Sequence, residues 1–199
     1  MKLLKILICE IVSFFIFFIT FCPGKIGVFF RKVFFKTMFK ELGEKFYSQT
    51  GLFITGHENI VIKNNCRIMR NSSINADKNS SIKIGNNTAV NYNVNINSCN
   101  NGNIEIGSNV FIGQNTVIRA ASHKYENVNI PIKDQGHEGG TIVISSDVWI
   151  GANCVITKNI KIGNHSIISA GSVVTRDVDA HTVVGGNPAT SIKKLSNSQ

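Results

Sequence analysis

Between Ile144 and Val178 aliphatic side chains return at Ile144, Ile150, Ile156, Ile162, Ile168 and Val174, always six residues apart. A second small or aliphatic residue follows each of them four places later, from Val148 to Val178. An α-helix repeats every ~3.6 residues and cannot hold such a column on one face. A short fixed period instead marks a solenoid, whose units bury one face against their neighbours and do not fold alone. The same interval runs through Ile62, Ile68 and Ile74, through Ile84, Val90 and Ile96, and through Ile106, Ile112 and Ile118. Three units make one triangular turn of a β-helix: each supplies a short strand and a corner, and its aliphatic side chain fills the prism. The pattern predicts an all-β solenoid of about five triangular coils. Gly85, Gly107, Gly113, Gly151, Gly163 and the many asparagines are assigned to corners where φ turns positive. Period alone leaves handedness open, and the general rule favours right-handed crossovers.

The period is interrupted three times. Segments 76–81 and 97–103 each insert four residues and are expected to be small surface loops at a corner. Segment 119–143 is far longer, adding twenty residues rich in charge and glycine. Long irregular segments on a regular scaffold are usually functional or disordered. His123 stands near the start of this one.

The N-terminal stretch differs in kind. Residues 1–47 hold eight Lys or Arg against three Glu, whereas the remainder holds thirteen against nine acidic residues, so the front end carries more than half of the +9 charge. Segment 11–21 is apolar apart from Ser13 and Thr20, yet shorter than the roughly 20 residues that span a bilayer. No small-residue cleavage site follows it, which argues against a secretory signal. In the next stretch helical geometry sets Lys32, Lys36 and Lys40 on one stripe and Phe30, Phe34 and Met38 on a nearly opposite one. That amphipathic pattern suits a membrane interface, and the competing reading is a helix that caps the solenoid. Nucleic acid is not an expected partner, because the basic residues alternate with Phe and form no nucleic-acid motif.

The stretches IGSNVFIGQNTVI, ISSDVWIGANCVI and IKIGNHSIISAGSVVTRDV, with the tail GGNPATSIKK, resemble the hexapeptide-repeat acyltransferases, in the branch of galactoside, maltose and polysaccharide O-acetyltransferases. The resemblance is close over 82–194 and rests on period alone over 54–81. It implies a left-handed parallel β-helix, against the usual crossover rule, working as a homotrimer with acetyl-CoA as co-substrate and no metal. Taken with the composition of the front end, the expected organisation is a helical, membrane-associated segment at 1–50, a β-helix at 51–182 with a catalytic loop at 119–143, and a short C-terminal tail at 183–199. The amphipathic front end and the unpaired cysteines together suggest a cytoplasmic location, peripheral to the inner membrane.

Moving an acetyl group from a thioester to an alcohol requires a base active near neutral pH, a polar group to hold the hydroxyl, and a donor for the developing oxyanion. His123 is the natural base, since imidazole titrates close to physiological pH. The resemblance adds Trp149 as an aromatic wall of the site, Asn93 as a ligand of the acceptor hydroxyl and the backbone N–H of Ala152 as the oxyanion donor. Asn101 falls where some relatives have an acceptor-binding aspartate, so a galactoside-like acceptor is put in doubt. For the co-substrate it implies Ala170 and Thr175 along the pantetheine arm, Arg176 near the adenine end and Lys193 at a phosphate. Thr190 replaces an arginine present in some relatives, leaving the phosphate grip weaker or shared with Lys194.

Of the remaining histidines, His57, His165 and His181 carry no expected chemistry, and His137, in the long loop, is a lesser candidate for a substrate role. Of the five cysteines, Cys66 and Cys154 fall at inward repeat places, where Cys behaves as a small hydrophobe. Their number and lack of CxxC spacing suggest a reducing compartment. The expected function is O-acetylation of a sugar hydroxyl on a cell-envelope glycan or its precursor. The alternatives are N-acetylation of a nucleotide-linked amino sugar, a carbonic-anhydrase-like metal enzyme on the same scaffold, and a non-catalytic scaffold.

Overall fold

The structure, a computed structural model, describes residues 2–196; among the cysteines, the Cys9 side chain lies outside the described set. Eighteen short strands wind into six triangular coils with three parallel faces. The first face stacks Glu41–Leu42, Ile60–Ile62, Ser81–Ile84, Asn103–Ile106, Thr141–Ile144 and Ile160–Ile162. The second stacks Tyr47–Ser48, Arg67–Ile68, Ala89–Val90, Phe111–Ile112, Trp149–Ile150 and Ile167–Ile168. The third stacks Phe53–Thr55, Ser73–Ala76, Asn95–Ser98, Val117–Arg119, Val155–Ile156 and Val173–Val174. We call the corners between faces one and two the first edge, between two and three the second edge, and from face three into the next coil the third edge.

The six-residue period is the register of this stack. Ile62, Ile84, Ile106, Ile144 and Ile162 pair in line along the first face, and none is more than 3% exposed. The coils number six rather than five. The extra one is the first, at 41–55, which the repeat had left in the helical segment. Its inner column reads Leu42, Ser48, Ile54, so a polar residue interrupts the aliphatic signal. Phe46 and Leu52, at 3% and 2% exposure, fill the prism there instead.

The corner glycines have a different role from the one expected. Asn65, Asn87 and Asn109 on the first edge, and Asn71, Asn93, Asn115 and Asn153 on the second, take the positive φ. Gly85, Gly107, Gly113, Gly151 and Gly163 do not. They are needed because the next coil passes too close: a Cβ on Gly113 would lie 2.5 Å from the Ala152 nitrogen. Gly113→Ala should therefore lower stability by about 1–3 kcal/mol through overpacking, read as a reduced urea midpoint. An unchanged midpoint would show that the coils can separate to admit a methyl group.

Two helices precede the coils, α1 (Lys2–Phe21) and α2 (Gly24–Met38). The buried face of α2 is Gly27, Arg31 and Phe35, one residue per turn, and it packs on the first coil through Phe35, Phe39 and Phe46. Lys40 falls beyond the helix end, and Phe34 packs edge-on against Phe15 of α1. The helix pair thus caps the solenoid, while much of α1 stays uncovered: Ile11, Phe14, Phe15, Phe17 and Phe18 are 58–74% exposed. Among the described residues no helix is long and apolar enough to cross a membrane. At the other end, Thr182–Gly186 and Ala189–Lys194 form an antiparallel hairpin on the last second-face strand. The tail expected at 183–199 is therefore largely structured, and it covers a sheet edge that would otherwise be open to pairing.

Candidate functional site

The long insertion is an ordered arm. After Arg119 the chain leaves the prism at the third edge, and Ala121–His123 pairs antiparallel with His137–Gly139. The hairpin root is closed by hydrogen bonds from the Gly140 N–H to the Ala120 carbonyl, 2.7 Å, and from the Ala120 N–H to the Asn97 carbonyl, 3.0 Å. Gly139 lies so close to the corner below that a Cβ would stand 2.1 Å from the Asn100 carbonyl oxygen. From the corner above, Lys158 pairs with Glu138. That hydrogen bond holds the Glu138 carboxyl below the ordinary carboxylate range, against an opposing desolvation, with help from the charges of Lys158 and Lys124.

This register sets His123 opposite His137. Their rings lie 3.9 Å apart between centroids, inclined at 42°, and both side chains are exposed. From sequence His137 could be placed only in the long loop, because its pairing with His123 depends on hairpin register rather than on any motif. Beside the arm, along the same edge, is a polar cleft of about 540 Å³ lined by Asp77, Lys78, Asn101, Lys124, His137 and Glu138, among others. Burial acts to raise the Asp77 pKa. Hydrogen bonds from Ser80 Oγ, 2.5 Å, and from the backbone N–H groups of Asn100, 2.7 Å, and Asn79, 3.3 Å, outweigh it and hold the carboxyl below its usual range. Near the arm root the buried Ser122 Oγ and Asn97 Oδ1 have no hydrogen-bond partner among the described residues. Polar groups left so are normally satisfied by water or a ligand.

Most of the other sequence-predicted residues do not gather around His123 within one protomer. Asn101 does, at the third edge in the cleft. Asn93 sits on the second edge with positive φ, its amide donating to Asn115 Oδ1 at 2.9 Å, and Asn115 donates in turn to Asn153 at 3.1 Å. Ala152 and Ala170 lie on the same second edge, one coil apart, and the Ala152 N–H has no hydrogen-bond acceptor among the described residues. Thr175 and Arg176 are exposed at the third edge, and Lys193 is exposed on the terminal hairpin over the second face. Trp149 projects from the second face, 55% exposed and in register with the equally exposed Phe111. In a triangular prism the third edge is opposite the second face. His123 and Trp149 therefore stand on opposite sides of one protomer. Among the described residues no three His, Cys, Asp or Glu side chains converge as metal ligands.

The coils define a left-handed parallel β-helix built on a six-residue repeat, a fold shared with solved acyltransferases. The family model of the bacterial transferase hexapeptide (six repeats) matches residues 141–176, the fifth and sixth coils. A chloramphenicol acetyltransferase of Escherichia coli is 48% identical over 61 residues, 31% of this chain and 29% of that enzyme. The chain thus matches less than a third of that relative's length. Among solved structures, a mutant of AntD, an N-acyltransferase from Bacillus cereus in complex with dTDP and coenzyme A, aligns with a TM-score of 0.74 at 22% identity over 83% of this chain and 90% of that one. A maltose O-acetyltransferase from Clostridium difficile 630 aligns with a TM-score of 0.67 at 25% identity over 91% and 83%.

Proposed function

We propose that the protein is an acetyl-CoA-dependent O-acetyltransferase of a sugar hydroxyl, the acceptor belonging to a cell-envelope glycan or its precursor. The observation that carries this reading is the rigid arm holding His123 exposed at the edge of a polar cleft on a transferase hexapeptide scaffold. A ring nitrogen of His123 takes the proton of the acceptor hydroxyl as its oxygen attacks the thioester carbonyl. The C–S bond then breaks, the acetyl group stays on the acceptor oxygen, and the proton leaves with the CoA thiolate. General-base assistance of this kind is worth about 10²–10⁴ in rate. The Ala152 N–H is suited to the developing oxyanion because it is not already committed to another acceptor.

The position of the candidate residues supports a homotrimer. His123 on the third edge can share a site with Trp149, Asn93 and Ala152 only if these come from a neighbouring copy. The arm tip supports the same reading: Tyr125, Ile130 and Ile132 are 43–63% exposed and Val128 is 94% exposed. Apolar groups left so open on a monomer commonly mark a subunit contact. Acetyl-CoA would lie in the groove between copies, along Ala170 and Thr175, with Arg176 and Lys193 toward its adenine and phosphates. Replacing Lys193 and Lys194 together by Ala should weaken CoA binding roughly 2- to 30-fold, two exposed ion pairs at about 0.2–1 kcal/mol each. Calorimetry at low and high salt would measure this, and an unchanged Kd would remove the tail from the phosphate site.

A second reading, N-acylation of a nucleotide-linked amino sugar, is favoured by the coverage of the AntD alignment, 83% and 90% of the two chains. The same base and co-substrate groove would serve it. Thiol release from acetyl-CoA with hydroxyl-only and amino-sugar acceptors separates the two. The N-terminal cap is also proposed to bring the protein to a membrane surface, through the uncovered aromatic face of α1 and the lysines of α2.

A further inference from the structure

The third edge carries three different environments in order along its length. Nearest the helices, where α1 and α2 meet the first coil, is an apolar slot of about 540 Å³ lined by Ile16, Phe17, Phe34, Leu52, Phe53 and Ile54, with Thr55, Gly56 and His57 at its solenoid end. One rung along, Asn59 Nδ2 donates to the Asp77 carbonyl at 2.8 Å, and there the polar cleft with Lys78 and Lys124 begins. The arm with His123 and His137 follows. Neighbouring coils stand about 4.8 Å apart, so the slot opens roughly three rungs, ~14 Å, from the arm. The slot has the volume of an ordinary ligand pocket, ~300–1,000 Å³, but its wall is almost wholly aliphatic and aromatic. Elsewhere on the two helices Phe14, Phe18 and Phe29 are also exposed.

We propose that this edge binds a membrane lipid carrying a saccharide, with its hydrocarbon chain in the helix–coil slot and its anionic, sugar-bearing head along Lys78 and Lys124 toward His123. An apolar slot that leads into a polar cleft, where Lys78 and Lys124 stand beside Asp77 while Glu138 is already paired with Lys158, and then to a base, matches an amphiphile in polarity and order. A free sugar would leave the slot without use. The inference rests on the acetyl-transfer reading for what happens at His123, but the binding half of it stands apart from catalysis.

The test therefore begins with binding. The probe is tritiated geranylgeranyl phosphate, presented to the full chain by equilibrium dialysis below its micelle concentration. Phe17 and Phe53 are 59% and 61% exposed, so the double variant Phe17→Glu, Phe53→Glu leaves the prism core intact. The wild type should bind saturably, and the variant should bind at least about tenfold more weakly, the effect of losing roughly two methylene groups' burial. Inorganic phosphate should not compete, and CoA binding should be unchanged. Equal binding by both proteins, or none by the wild type, overturns the slot. If the variant instead dissociates the oligomer on size exclusion, the slot is a contact between copies and the lipid assignment falls. If the probe binds in the slot but His123→Ala leaves acetyl release unaltered, the slot stands and the acetyl-transfer reading is the part that fails. Finally, transfer to a polyprenyl-phosphate-linked sugar should exceed transfer to the same sugar without a chain, and the double variant should abolish that difference.

Discussion

Replacing His123 with Ala should lower turnover by about 10²–10⁴, equivalent to roughly 3–5 kcal/mol of transition-state stabilisation, while the fold and the oligomer persist. Persistence follows from the arm's construction. The His123 side chain is exposed, and the hairpin is held by its backbone ladder, by the Gly140–Ala120 and Ala120–Asn97 hydrogen bonds and by the Lys158–Glu138 pair. None of these involves the imidazole. His137→Ala is the informative companion, because its ring lies against that of His123 and its loss tests whether the base needs an aromatic neighbour to fix its orientation. The measurement is thiol release from acetyl-CoA with a sugar acceptor, alongside thermal melting and size exclusion. A His123→Ala protein that melts normally and turns over at the wild-type rate would end the assignment of His123 as the base.

The coils were readable from sequence because side-chain period and strand stacking are the same quantity in a solenoid: Ile84 and Ile106 are 22 residues apart and pair directly. Where a column lost its aliphatic residue, as at Ser48, the first coil disappeared from view even though Phe46 and Leu52 were filling it. The corner residues were found, and the asparagines take the positive φ expected of them, but the five glycines do not. Asn takes the left-handed turn and Gly admits the neighbouring coil, a distinction that depends on contacts between coils. The site was legible only in part. His123 was singled out by its position near the start of the arm and Asn101 by the resemblance, and both stand at the third edge. The pairing with His137 depends on hairpin register, which loop composition does not encode. The separation of His123 from Trp149 comes from counting faces around a prism, which a linear reading of the repeat does not do. The buried charge in α2 carried no signal either, since Arg31 sits among lysines and phenylalanines that read as one amphipathic surface.

That buried charge supports the second large effect: Arg31→Met should detach the helical cap. Arg31 is 1% exposed, and no carboxylate pairs with it among the described residues. Its Nη1 donates instead to the carbonyls of Ile19, 3.2 Å, Thr20, 3.3 Å, and Cys22, 2.7 Å, while Nε and Nη2 both reach the Ser48 carbonyl at 3.3 and 3.2 Å. The first three belong to the C-terminal end of α1, where a helix leaves its last carbonyls unsatisfied and carries partial negative charge. The fourth belongs to the first coil. One guanidinium thus joins α1, α2 and the solenoid, and Gly27 makes room for it, since a Cβ there would lie 1.8 Å from the Cys22 oxygen. Met conserves the length of the side chain but leaves the Ile19, Cys22 and Ser48 carbonyls without this donor, while Thr20 keeps the Gly51 N–H at 3.1 Å; each carbonyl so left costs about 1–3 kcal/mol where water cannot reach it. Relaxation of the helix end will recover part of this, so a loss on the order of 3–5 kcal/mol is expected, as when one partner of a buried polar pair is removed. Lys, a point charge without the planar fork, should restore only part. Hydrogen exchange is the decisive readout. Protection should fall across α1, α2 and the first coil and hold in the fourth to sixth coils, because a solenoid's stability is the sum of neighbouring interfaces. Uniform loss along all six coils would mean that the cap and the prism unfold as one unit, and unchanged protection in α1 would mean that Phe–Phe packing alone holds it in place.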